Sequence, residues 1–126
     1  MTPNDVLIDL LEDNRRRLHR LLFAISDELF FWQPEAEANN MAITIWHMAR
    51  MFDVFLTRQA LGNPVQEECW FKQSWAAKTG YDPRGIGQNG WGMLTGFTQA
   101  EVAAIPAMSR EQIVGYLNDV YDAVRA

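Results

Sequence analysis

A chain of 126 residues with 48% hydrophobic and 21% charged side chains has the makeup of one soluble domain with room for a core. Its net charge of -5 excludes the broad positive field that nucleic acid or an anionic lipid surface would need in a partner. The single cysteine, Cys69, excludes an internal disulfide and a thiolate metal cluster, which fits a reducing, cytoplasmic setting.

The opening stretch MTPNDVLIDLLEDN is acidic where a secretory signal is basic, and no uncharged apolar run approaches the roughly 18 residues that cross a bilayer. Neither export nor a membrane partner is expected. A first helix is predicted from a cap at Thr2 or Asn4 to about Ile25, with Pro3 tolerated in its first turn. Leu7, Leu11, Leu18, Leu22 and Ile25 form its core stripe, broadened by Leu10 and Leu21. Arg15, Arg16, Arg17 and Arg20 lie within about a turn of Asp9, Glu12 and Asp13, so a solvated, ion-paired face is expected there. From Ser26 to Asn39 the chain opens with a short helical turn and breaks at Pro34, with Phe30, Phe31 and Trp32 plugging the end of a bundle.

The stretch from Asn40 to Gly62, NMAITIWHMARMFDVFLTRQALG, predicts a central helix. Asn40 caps its start, and Gly62 followed by Pro64 ends it. At about 100° per residue, Ile43, His47, Met51, Val54 and Leu61 share one face, while Ile45, Met48, Phe52, Phe55 and Leu56 gather on the other. A helix apolar on two sides belongs inside a fold. A short helix carrying Trp70, Phe71 and Trp75 is expected between Val65 and Thr79.

Gly80 to Gly96 reads as loop, with Trp91 packing down from it. Gly85, Gly87 and Gly90 spell G-x-G-x-x-G, but that fingerprint needs a strand before it and a helix beginning inside it. The match is fortuitous. Thr98 with Glu101 and Ser109 with Gln112 fit two capping boxes. Pro106 stops the first of these helices, and Ile113, Tyr116, Leu117, Val120 and Val124 stripe the second. No cap or glycine closes that last helix before Ala126, so the chain is expected to stop inside an element.

His47 is the leading candidate for chemistry, since a neutral imidazole on a rigid helix facing a bundle interior suits zinc, nickel or copper. The competing reading is a core histidine bonded to a carbonyl or carboxylate. Arg50 could orient a substrate carboxylate or support His47, or simply pair with Asp53 three residues on. His19, off the apolar stripe of the first helix, is expected to be exposed. Cys69 sits beside Glu67 and Glu68, which push its pKa away from a nucleophile's, and neither H-x-x-x-H nor H-E-x-x-H occurs.

Several stretches resemble the DinB-like (DinB/YfiT-like) superfamily. They are Trp32-Gln33-Pro34, Trp46-His47-Met48-Ala49-Arg50, Asp53-Val54-Phe55-Leu56, Trp75 with the glycine-rich loop, Thr98 through Pro106, and Ser109 through Leu117. Together they span nearly the whole chain. The resemblance implies an all-α, four-helix bundle of up-down-down-up connectivity. It also implies a divalent metal, usually zinc or nickel, held by three histidines. One of these maps onto His47; the other two come from an H-x-x-x-H pair on the family's last helix, which has not begun by Ala126. Residues 1-126 are therefore expected to be a single DinB-like domain incomplete at its C-terminus.

The resemblance further implies thiol-dependent transferase or isomerase chemistry on a small-molecule thiol, with Arg50, Trp46, Trp75 and Trp91 lining the substrate cavity. The alternative is a non-catalytic helical module that lacks a complete metal site and acts through homo-oligomerisation, a homodimer being the simplest form, because three long helices leave one side of a bundle open.

Overall fold

A computed structural model describes residues 2–33, 35 and 39–125. The chain is helical, with no strand among those residues. Thr2 starts α1 (Pro3–Ala24) with a capping box closed by Asp5, and Pro3 occupies the first turn. Ser26 caps the single turn α2 (Asp27–Phe30). The expected break at Pro34 lies outside the described residues, as does Ala126.

Asn40 caps α3 (Met41–Val54) by accepting from Ile43 N at 2.8 Å. The helix then widens into a π-helical stretch over Phe55–Ala60 and ends at Gly62, whose φ is +65°. The expected short helix after it is divided: a 3-10 turn at Val65–Glu67 leads to α4 (Cys69–Lys72), and α5 (Trp75–Thr79) follows. A glycine-rich loop with a 3-10 turn at Gln88–Gly90 leads to α6 (Gln99–Ala103), which opens with the Thr98 and Glu101 capping box. In α7 (Arg110–Arg125), Ser109 and Gln112 exchange the expected reciprocal bonds at 3.0 and 3.1 Å.

Three long helices set the frame. Arg15 reaches Asp122 at 2.8 Å, and Arg110, at the other end of α7, reaches the carbonyl of Ile25 at 2.6 Å. Hence α1 and α7 run antiparallel. Asp53 of α3 meets Tyr116 of α7, and these two form the most extensive helix pair.

Three expectations about packing need correction. The buried line of α3 and its extension is Ala42, Ile45, Trp46, Ala49, Arg50, Asp53, Val54 and Thr57, one stripe at steps of three and four. Phe52 and Phe55, expected inside, are 46% and 37% exposed. On α1 only Leu22 is fully buried, and the long helix it packs against most extensively is α7. Leu11, Leu18 and Ile25 join the core, whereas Leu7, Leu10 and Leu21 face out. Of the expected plug, Phe30 is buried, but Phe31 and Trp32 are exposed.

Candidate functional site

The densest polar constellation is built around Arg50, which is wholly buried. Its Nε donates to the carbonyl of Gly92 at 3.0 Å, and one terminal nitrogen donates to the carbonyl of Trp91 at 2.7 Å. The other lies 2.9 Å from Glu68, 3.5 Å from Asp53 and 3.5 Å from the hydroxyl of Tyr116. Burial alone favours the uncharged guanidine, but Tyr116, Glu68 and Asp53 together hold the group above its ordinary pKa. One cation thus ties α3 to the glycine-rich loop, to the start of α4 and to α7.

Asp53 completes this knot. Its two oxygens accept from Cys69 N at 2.7 Å and Trp70 N at 3.0 Å, so it caps α4 from another helix. It also accepts from the hydroxyl of Tyr116 at 2.6 Å. Glycine is required where the loop meets this knot: Gly92 has φ +65°, and a Cβ there would fall 2.2 Å from the carbonyl oxygen of Pro83.

Glu68, fully buried, is the residue whose ionisation the fold works against. Burial raises its pKa, and Arg50 only partly offsets this. A carboxyl whose folded pKa is raised contributes stability that is complete below its unfolded value near 4.5 and is lost as pH rises through the folded value. Glu68→Gln keeps an oxygen acceptor for Arg50 and removes that titration. The difference in unfolding free energy between variant and wild type is therefore expected to move in the variant's favour as pH rises above about 4.5, and then level off. Urea denaturation in a pH series checks this; a flat difference contradicts it.

His47 is half-buried, and its Nδ1 makes a short contact with the carbonyl oxygen of Met93. A carbonyl only accepts, so Nδ1 carries the proton, and in the neutral ring Nε2 is left bare. That is how a ligating histidine is oriented, and equally how a core histidine is satisfied. Among the described residues no group of three or more His, Cys, Asp and Glu side chains is placed to hold a metal ion. Asp53 and Glu68, the two carboxylates of the buried knot, already face Arg50. The described side chains therefore do not make the three-histidine site that the resemblance implies.

His19 is also half-buried rather than exposed, with Nε2 2.6 Å from Asn118 Oδ1 across the α1 and α7 contact. Cys69 is buried, and burial together with Asp53 and Asp119 pushes its thiol up to about 12, far from a thiolate at neutral pH.

The residues expected to line a substrate cavity lie in different places. Trp46 is fully buried, edge-on to Trp70 with ring centroids 5.9 Å apart. Trp75 donates from Nε1 to Asp119 at 2.8 Å and packs where Gly115 leaves room, since a Cβ there would fall 2.7 Å from the indole. Trp91 is half-buried and offers its carbonyl to Arg50. Arg50 and Trp91 come together; Trp46 and Trp75 belong to the aromatic core around Trp70 and Tyr116. Glu68 and Tyr116, the other members of the knot, were not singled out as site residues from sequence.

A family model matches most of the chain. That model, described as the DinB superfamily, covers residues 10–126. The chain belongs to the DinB superfamily. No curated protein matches it. Within this DinB-superfamily chain, no described helix is long and apolar enough to cross a membrane.

Proposed function

We propose that this DinB-superfamily chain is a non-catalytic helical module that works by self-association, with the exposed side of α1 as its contact surface. The observation that carries this reading is the state of α1: a 22-residue helix with one fully buried side chain and Leu7, Leu10 and Leu21 each more than half exposed. Apolar side chains repeated along one helix face are the usual mark of a contact surface, whereas scattered ones are not. A cytoplasmic homodimer is the assembly proposed.

The metal-dependent, thiol-using reading has one support, the bare Nε2 of His47, and lacks further donors among the described residues. Each of the three guanidinium nitrogens of Arg50 is engaged inside the fold, which favours a role in holding the loop over one in holding a substrate. Light scattering on protein eluting from a sizing column tests the proposal. A mass twice that of the chain across a dilution series is expected, and a monomer throughout overturns it.

A further inference from the structure

Along α1, Leu7, Leu10, Asn14, Arg17 and Leu21 follow one another at steps of three and four residues, which aligns them on one line of a helix. All five are exposed. This line runs beside the core-facing line of Leu11, Leu18, Leu22 and Ile25 and is separate from it. Charge divides at the same place: Asp5, Asp9, Glu12 and Asp13 all precede Asn14, and Arg15, Arg16, Arg17 and Arg20 all follow it. Two such helices side by side repel when parallel and attract when antiparallel.

Resting on the self-association reading above, we propose that this line is the seam of an antiparallel contact between the α1 helices of two copies, with the two-fold axis passing between Arg15 and Arg16. In that register Leu10 of each copy lies against the partner's Leu21, and Asn14 lies against the partner's Arg17. Leucine layers then flank a polar middle. Asp13, which pairs with Arg16 and Arg17 of its own helix, comes within a turn of the partner's Arg20. Sliding by one heptad would set Leu10 against Asn14 and Leu7 against Arg17, and both leucine layers would be lost. Polar residues inside an apolar seam fix register in this way.

Cross-linking with a short bis-maleimide tests the register, since Cys69 is buried and stays unlabelled in the folded chain. Leu10→Cys and Leu21→Cys proteins are prepared separately, one with a longer tag, and then mixed. A cross-linked species of mixed mass is expected, with little self-linking of either protein alone. Asp13→Cys mixed with Arg20→Cys, both substitutions lying outside the core, repeats the test without removing a leucine. Strong self-linking of Leu10→Cys overturns the antiparallel arrangement. A dimer by light scattering with no mixed product in either pair overturns the seam and leaves self-association standing, whereas a monomer by light scattering overturns both.

Discussion

Replacing Arg50 by methionine is expected to cost about 3–5 kcal/mol of folding stability at neutral pH, because it leaves two buried carboxylates without their counter-charge. Methionine fills much of the volume but gives nothing to Glu68, at 2.9 Å, or to the carbonyls of Gly92 and Trp91. Arg58, 3.7 Å from the far oxygen of Glu68, compensates only in part. Three connections loosen together: the glycine-rich loop, the start of α4 and the face of α7 at Tyr116. Arg50→Lys is expected to fall between, since a single ammonium cannot reproduce the planar fork that serves a carboxylate and two carbonyls at once. In Arg50→Met the deficit is expected to shrink on acidification, as Glu68 takes up its proton. Guanidinium denaturation at two pH values measures both effects, and a loss below about 1 kcal/mol at neutral pH would show that the knot is not what holds these elements together.

Leu10→Glu is expected to convert the proposed dimer to a monomer, weakening self-association by roughly 100-fold or more, the loss typical of a central apolar contact replaced by a charge. The side chain is 61% exposed in the single chain, so the variant should fold and melt much as the parent monomer does. Phe52→Glu makes the contrasting case. Its site on α3 is also exposed, at 46%, but lies off the α1 line, and the dimer should survive it. Sedimentation velocity over a concentration series separates the two; equal behaviour of both variants would remove α1 as the contact surface.

Local chemistry was readable from the chain, whereas distant partners were not. Caps at Thr2, Asn40, Thr98 and Ser109 act over three residues, so each was visible in the order of side chains and is found in place. The buried line of α3 was misread because two of its members, Arg50 and Asp53, are charged, which shifted the apparent apolar faces toward Phe52 and Phe55. Their burial depends on Glu68, 18 residues from Arg50, and on Tyr116, 66 residues from it. Nothing in a periodic pattern announces such neighbours. The same holds for His47, whose ring is aimed by a carbonyl 46 residues on. On α1 the leucines were counted correctly as apolar, but which of them meet the core depends on how many helices cover it. The signal that could have corrected this was present in the sequence: two parallel lines of leucine, one continuous with the core pattern and one interrupted by Asn14 and Arg17.

Isotope-filtered nuclear Overhauser spectroscopy on an equal mixture of labelled and unlabelled protein tests the central claim most directly, because it records only contacts between copies. Transfer between the methyl groups of Leu10 and the partner's Leu21 is expected. Filtered spectra empty of α1 signals, from a sample that scatters light as a dimer, would contradict it.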